Sequence, residues 1–226
     1  MNKHNTFCKI CFEDIYHKVS LLSYFSYKDV ICEGCRSKMQ EINKWKQIGT
    51  LNVYCIYAYD TYMENLMFQF KEGRDIALKD VFLYTQKKKI EKMFKDYTII
   101  FMPSSKEHTK IRGFIPLEEM FLNINLNKEN ILEKKGMYKQ SVLSYAQRKQ
   151  VKNCIKMKKG CKKHRGKVLL VDDVMTSGET LLSAYALLKD DCEEIKALIV
   201  CDNHKDVELC DEKKFPFYSI LYILKK

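Results

Sequence analysis

The sequence of 226 residues contains no long hydrophobic run. Although 46% of its residues are hydrophobic, no segment approaches the roughly 18 consecutive apolar residues that a membrane span requires. The polar stretch from Met1 to Ile10 also lacks the apolar core of a signal peptide. These absences predict a cytoplasmic protein without a membrane span, long enough for one sizeable domain and one small module.

Two common nucleotide-binding motifs are missing as well. No Gly-Lys-Ser/Thr sequence ends a Walker loop, and no set of three spaced glycines forms a dinucleotide fingerprint. Any phosphate-binding loop in this chain must therefore be of another kind.

Arginine is scarce. It occurs only at Arg36, Arg74, Arg112, Arg148 and Arg165, so the formal charge of +11 comes mostly from lysine. A strongly basic balance favours polyanions, either nucleic acid or phosphorylated ligands. A lysine-rich solvated surface with no ligand explains the same composition equally well.

Ten cysteines are present, and four of them form two Cys-x-x-Cys pairs, Cys8 with Cys11 and Cys32 with Cys35. Two such pairs at ribbon-like spacing supply four thiolates to a closed, structural Zn²⁺ site. A thioredoxin-like redox pair is less favoured because no strand precedes the first pair. We therefore predict a zinc-finger module over residues 1–48, with Ser37–Gln47 as a short helix or hinge before the boundary near Gly49.

Residues 49–226 carry the strand and helix patterns of a single α/β domain. Amphipathic spacing predicts a helix that begins after Asp60 and ends near Gly73, and a further helical pattern over Asp75–Lys95. The predicted strands are Asn52–Tyr59, Tyr97–Met102, Val168–Val171, Ile195–Cys201 and Phe217–Leu224.

The stretch Lys167–Leu182 is the most informative part of the sequence. Four buried apolar residues end in Asp172 and Asp173, a short hydroxyl-rich turn follows, and leucines at helical spacing come next. Ligands of an open parallel sheet bind beyond the carboxyl ends of its strands, so this loop lies where a ligand is expected. A buried strand can also end in acids before a capped helix without any ligand.

The chemistry of this loop suits a phosphorylated ribose. Backbone N–H groups at a helix N-terminus attract a phosphate, and a glycine permits close approach. The two carboxylates would accept hydrogen bonds from ribose hydroxyls or lie near a Mg²⁺ held by a diphosphate. The residues predicted to meet the phosphate are Thr176, Ser177, Gly178, Glu179 and Thr180.

A second loop follows the predicted strand at Tyr97–Met102. If that strand neighbours Val168–Val171, the loop shares the same sheet edge and could hold pyrophosphate. Its candidate donors are Ser104, Ser105, Lys106 and Arg112. Taken alone, the segment reads equally as an ordinary loop.

The Lys167–Leu182 stretch resembles the phosphoribosyl-pyrophosphate (PRPP) motif of type I phosphoribosyltransferases. With the four cysteines, and with motifs that begin at Phe70, Met102, Arg112 and Lys139, it makes the chain similar to the ComF family (ComFC type) of bacterial competence proteins. The resemblance implies a type I phosphoribosyltransferase-like parallel sheet with flanking helices, preceded by a four-cysteine zinc finger. It also implies a role in natural transformation, in which the protein handles incoming single-stranded DNA with a helicase partner of the ComF operon type at the inner face of the membrane.

The family's usual Arg-Gly-Phe-Asn-Gln motif reads Arg112-Gly113-Phe114-Ile115-Pro116 here, which loses two polar side chains near the expected site. The ribose-phosphate loop is thus better supported than transferase chemistry, and no catalytic residue can be named. We expect a DNA-uptake accessory protein with structural Zn²⁺ and a site for PRPP or a ribose 5-phosphate-like ligand with Mg²⁺. The alternative is an active Mg²⁺-dependent phosphoribosyltransferase in nucleotide salvage.

Overall fold

The computed structural model describes residues 7–15, 30–134, 155–162 and 164–203, apart from the side chain of Lys106. The first half contains α1 (Glu33–Arg36), β1 (Glu41–Ile48), β2 (Leu51–Ala58), α2 (Thr61–Lys71), a 3-10 helix (Ile76–Asp80), α3 (Lys87–Met93) and β3 (Tyr97–Phe101). The second half contains α4 (Lys106–Arg112), α5 (Pro116–Met120), β4 (Lys128–Glu129), β5 (Leu132–Lys134), β6 (Ile155–Met157), β7 (Lys167–Met175), α6 (Glu179–Leu188) and β8 (Glu194–Asp202).

Six strands form one sheet in the order β1-β2-β8-β7-β3-β4. All neighbouring pairs are parallel except β1 and β2, which form an antiparallel hairpin at one edge. Strands β5 and β6 pair separately as a small antiparallel ribbon. The predicted α/β fold with a mostly parallel sheet is confirmed.

Strand β7 lies at the centre of the sheet because its residues are apolar on both faces. Val168, Leu169, Leu170 and Val171 are completely buried, and the strand pairs with β3 on one side and β8 on the other. Such continuous apolar runs are typical of strands in parallel sheets covered on both faces. The predicted strands at Asn52–Tyr59, Tyr97–Met102 and Ile195–Cys201 are confirmed within one to two residues, and Phe217–Leu224 lies outside the described residues.

The connections after β3 and β7 run in opposite directions. From β3 the chain passes through α4 and α5 to β4 at one edge, whereas from β7 it passes through α6 to β8 towards the other. This divergence makes the carboxyl ends of β3 and β7 the switch point of the sheet, which is where open parallel sheets form a crevice and bind ligands. The topology therefore places both predicted ligand loops at one switch point.

Helix α2 begins and ends as its sequence predicts. The carboxylate of Asp60 accepts a hydrogen bond from the N–H of Met63 at 2.9 Å, which caps the first turn. At the other end, a Cβ on Gly73 would lie 2.5 Å from the carbonyl oxygen of Gln69, so glycine is required there. The helix buries Met63, Leu66, Met67 and Phe70 on one face.

The prediction of a short helix or hinge over Ser37–Gln47 is wrong. Residues Glu41–Ile48 form the edge strand β1, and a two-residue turn at Gly49, with a φ of +59°, joins it to β2. Edge strands tolerate lysine and other polar residues, which hide the strand pattern from a sequence reading. The hairpin thus crosses the predicted boundary between the modules at residues 1–48 and 49–226, and that division stays a prediction.

The helical pattern over Asp75–Lys95 is broken in the structure. Asp75 caps the short 3-10 helix by accepting a hydrogen bond from the N–H of Ala77 at 3.2 Å, and α3 begins only at Lys87. Between them, Val81, Phe82 and Leu83 are all buried. Three consecutive buried residues cannot share one helix face, so packing interrupts the helix.

No helix in the described part of the chain is both long enough and apolar enough to cross a bilayer.

Candidate functional site

The acidic pair lies within the carboxyl end of β7. Asp172 and Asp173 are both half-buried, and an oxygen of the Asp172 side chain accepts a hydrogen bond from the N–H of Asp173 at 2.9 Å. Burial, and then the negative charge of Asp173, raise the pKa of Asp172 to about 7. Asp172 is therefore a carboxyl group that titrates near neutral pH.

Asp173 forms an ion pair with Lys71, the last residue of α2. The Nζ atom of Lys71 lies 2.7 Å from Asp173, and the two side chains are only 18% and 20% exposed. Lys71 is not among the site residues predicted from the sequence. Lys71 and Asp173 are far apart in sequence, and α2 follows β2, which β8 separates from β7 in the sheet.

The turn after β7 is open to solvent. Thr176, Ser177 and Glu179 are exposed and Thr180 is half-buried, while Gly178 begins α6 with a φ of +73°. A Cβ at residue 178 would lie 3.0 Å from Cδ1 of Ile48. Both the backbone conformation and the space therefore require glycine, and the β1 hairpin supports the turn from below.

The start of α6 offers the groups that a phosphate needs. The helix has ten residues, and its first turn carries backbone N–H groups without helical partners. The hydroxyl of Ser177 lies 3.4 Å from the N–H of Glu179, next to these groups. The arrangement suits a phosphate monoester, and the assignment of residues 176–180 as its ligands stays a prediction.

The second predicted loop lies beside the first, because β3 and β7 are neighbours. Ser104 and Ser105 are half-buried, and Ser105 precedes Lys106, the first residue of α4. Arg112 ends α4 and forms an ion pair with Glu72. Its Nε atom is buried without a hydrogen-bond partner among the described residues. The structure thus holds this arginine near the switch point, and its contact with pyrophosphate stays a prediction.

Two consecutive residues at the end of α2 form ion pairs with residues of β7 and α4. Lys71 holds the carboxylate of Asp173 on β7, and Glu72 holds the guanidinium of Arg112 on α4. These pairs tie the acidic strand end and the basic helix end to one short segment. The two pairs thus place both signs of charge beside the carboxyl end of β7.

The four predicted metal ligands come together at the amino-terminal part of the chain. The sulfur atoms of Cys8, Cys11, Cys32 and Cys35 all lie within 4.8 Å of one another, and the Cys11 and Cys32 sulfurs are 3.6 Å apart. Four thiolates around tetrahedral zinc would be about 3.8 Å apart, given a Zn–S distance of about 2.3 Å. The donor set and its spacing therefore fit a metal ion.

Contacts with α2 and the 3-10 helix attach the cysteine cluster to the sheet domain. The hydroxyl of Tyr62, in the first turn of α2, lies 3.4 Å from the carbonyl oxygen of Cys35. Lys9, between the first two cysteines, forms an ion pair with Asp80 of the 3-10 helix. The cluster is thus packed against the same helix that ends at the ligand crevice.

Comparison with known proteins agrees with this geometry. The family model described as "Phosphoribosyl transferase domain" matches residues 132–220. Competence protein ComFC from Streptococcus pneumoniae (strain ATCC BAA-255 / R6) is 24% identical over 165 residues, which are 70% of this chain and 74% of the relative.

Similar solved structures are phosphoribosyltransferases. A hypoxanthine phosphoribosyltransferase from Staphylococcus aureus matches with a TM-score of 0.38 and 12% identity, over 55% of this chain and 62% of that chain. The adenine enzyme from Saccharomyces cerevisiae matches with a TM-score of 0.36 and 12% identity, over 75% and 86%. The present chain therefore spans less than two thirds of the Staphylococcus aureus enzyme.

The mostly parallel sheet and the family-model match make residues 132–220 similar to a phosphoribosyltransferase domain. Together with the four-cysteine cluster, the match to the Streptococcus pneumoniae relative makes the chain similar to ComFC proteins.

We predict that Asp172→Asn changes how stability depends on pH. The pKa of Asp172 is raised from 3.8 to about 7 in the folded protein, so the folded state binds this proton more tightly than the unfolded chain. The wild type should then lose stability as the pH rises from about 4 to about 7, because a half-buried carboxyl must ionise. Asparagine stays neutral, so the variant should gain on the order of 2 to 3 kcal/mol over the wild type between about pH 5 and pH 8.

Urea unfolding at both pH values measures this difference. Asp96→Asn is the control, since the Asp96 side chain is 65% exposed and its loss should leave the pH dependence unchanged. Equal pH dependence in the wild type and in Asp172→Asn would contradict the assigned environment of Asp172.

Proposed function

We propose that this ComFC-type protein is a cytoplasmic DNA-uptake accessory protein in natural transformation. It binds incoming single-stranded DNA and a helicase partner, and its phosphoribosyltransferase scaffold carries a ribose-phosphate site that takes PRPP with Mg²⁺. The observation that carries the site assignment is the acidic end of β7 joined to an open Ser-Gly helix start at the switch point of the sheet. The basic charge of +11 and the competence relative support the DNA role.

In this proposal the residues of the crevice divide the ligand between them. The N–H groups at the start of α6 and the hydroxyls of Thr176 and Ser177 bind the 5-phosphate. Asp172 and Asp173 accept hydrogen bonds from the ribose hydroxyls, and Arg112 lies on the pyrophosphate side. Mg²⁺ bound to the diphosphate would reduce its repulsion from the carboxylates.

We further propose that the cysteine cluster holds one structural Zn²⁺. Four cysteine sulfurs leave no open coordination position for a reactive water, so the ion would stabilise the fold and take no part in chemistry. Its packing against α2 would transmit that stabilisation to the sheet domain.

The zinc proposal predicts about one zinc per chain by elemental analysis. Cys35→Ser should abolish metal binding and unfold the cluster, since binding and folding of such modules are coupled. Cys161→Ser is the matched control, because Cys161 is an exposed cysteine outside the cluster and its loss should leave the zinc content unchanged. A wild-type protein that folds equally well after chelation and dialysis would contradict the proposal.

The DNA proposal predicts salt-sensitive binding of single-stranded DNA. Affinity should fall by at least about tenfold between low and physiological salt, because lysines displace counterions from phosphates. A filter-binding or anisotropy titration with and without PRPP and Mg²⁺ measures both the affinity and any linkage between the ligands. Absence of binding at low salt, or binding that ignores salt, would remove the DNA role and leave the ribose-phosphate site untouched.

The alternative is an active phosphoribosyltransferase in nucleotide salvage, favoured by the fit of the crevice to a phosphorylated ribose. Catalysis would require the departure of pyrophosphate from a ribosyl centre with cationic character, stabilised by Mg²⁺ and by cations such as Arg112. Labelled PRPP incubated with a panel of purine and pyrimidine bases should then release pyrophosphate only when an acceptor is present. No acceptor-dependent release across the panel would count against this activity.

A further inference from the structure

A group of aromatic rings lies between the edge of the sheet and α3, away from the ligand crevice. The ring of Trp45 on β1 is 5.2 Å from that of Tyr54 and 6.1 Å from that of Phe94, measured between centroids. Phe94 in turn contacts Tyr97 at 5.5 Å. Tyr54, Phe94 and Tyr97 are buried, whereas Trp45 is 43% exposed.

The buried rings make Trp45 a rigid platform. The plane of the Trp45 ring is inclined at 58° to the ring of Tyr54 and at 63° to the ring of Phe94, so neither ring stacks in parallel on the indole. The hydroxyl of Tyr54 donates to Asn43 at 2.9 Å, which fixes that ring in turn. A large, immobile and partly exposed aromatic ring loses little conformational entropy when a flat ligand stacks on it.

Lysines surround this platform. The Nζ atom of Lys196 lies 5.9 Å from the centroid of Trp45, and that of Lys89 lies 5.2 Å from the centroid of Tyr54. Helix α3 carries four lysines and one glutamate, and its Lys88, Lys89 and Lys92 are exposed. The surface formed by Trp45, Lys89 and Lys196, here called the Trp45 surface, is therefore cationic and aromatic.

Nearby carboxylates offset only part of this charge. Glu194 lies 2.9 Å from Lys196 and also accepts a hydrogen bond from the hydroxyl of Tyr97 at 2.5 Å. Glu91 accepts a hydrogen bond from the N–H of Asn125 at 2.7 Å and lies 3.9 Å from the Nζ atom of Lys87. The exposed lysines of α3 thus outnumber the acids that face them.

We propose that the Trp45 surface is where single-stranded nucleic acid binds, with one base stacked on Trp45 and the flanking phosphates held by Lys89 and its neighbours on α3. Aromatic platforms in basic grooves bind single strands in this way. An acidic protein surface would use the lysines but would leave the exposed indole unused, so the aromatic component favours a nucleic acid. The proposal rests on the proposed DNA role and adds to it the surface involved.

The chain offers an intrinsic probe, because Trp45 is its single tryptophan. Titration with an oligothymidylate of about 16 nucleotides, a size typical of single-strand binding domains, should quench the tryptophan emission. The quenching should follow the same binding curve as the anisotropy of the labelled oligonucleotide. Trp45→Ala should weaken binding by about tenfold, and Trp45→Phe should retain most of the affinity, since a stacking ring remains.

Matched controls separate this surface from general effects of charge and exposure. Phe68→Ala removes another exposed aromatic ring, 65% exposed on α2, and should not change DNA affinity. Lys89→Glu should reduce both the affinity and its salt dependence. Lys159→Glu, which reverses an exposed lysine after β6, should have a smaller effect.

The outcomes distinguish failure of the Trp45 surface from failure of the proposed DNA role. Anisotropy that reports binding while the emission of Trp45 stays constant would overturn the Trp45 surface and leave the DNA role intact. Equal affinities for the wild type, Trp45→Ala and Phe68→Ala would overturn it in the same way. Failure of the wild type to bind single-stranded DNA in low salt would overturn both.

Discussion

The burial of β7 is the constraint on which the rest of the structure depends. The strand has a hydrogen-bonded neighbour on each side and apolar residues on both faces, so its carboxyl end reaches the switch point in surroundings that disfavour charge. Two carboxylates placed there are unfavourable unless each is neutralised or bonded. Asp172 meets this requirement through a raised pKa and a backbone hydrogen bond, and Asp173 through Lys71. Carboxylates held in this way add little net stability, which is consistent with the proposed ribose-phosphate site.

Two other aspartates at the carboxyl edge of the sheet are also bonded to a partner. Asp60, after β2, caps α2, and Asp202, at the end of β8, lies 2.5 Å from Lys46 of the edge strand. Lys46 is a residue of the hairpin that also supplies Ile48 beneath Gly178. The edge strand therefore neutralises the end of β8 and supports the turn that follows β7. Helix α2 extends the connection to the cysteine cluster, because its first turn contacts Cys35 and its last turn holds Asp173.

Local sequence patterns were sufficient for the central elements and insufficient for the contacts between them. The strand Val168–Val171, the turn at Ser177–Gly178 and the helix α2 depend on periodicity, glycine and caps, all of which lie within a few residues of one another. The pairs Lys71–Asp173 and Glu72–Arg112 join residues distant in sequence, and one sequence carries no local signal for them. Strand β1 was missed for a related reason, since its polar residues suit an edge that only the finished sheet defines. The four cysteines were predicted as a cluster because metal ligands follow a spacing rule that does not depend on the fold.

The ion pair between Lys71 and Asp173 reduces the negative charge at the end of β7. From sequence, two adjacent aspartates present two negative charges that would repel an incoming phosphate. In the structure, Lys71 neutralises Asp173, and a pKa of about 7 leaves Asp172 partly protonated near neutral pH. The strand end therefore carries much less negative charge than its composition indicates, so a ribose phosphate can approach with less repulsion. A protonated Asp172 can also donate a hydrogen bond to a ribose oxygen, whereas the ionised group can only accept one. The pH thus determines whether Asp172 donates or accepts a hydrogen bond. This change occurs near neutral pH because burial at the end of β7 raises the pKa of Asp172 to about 7.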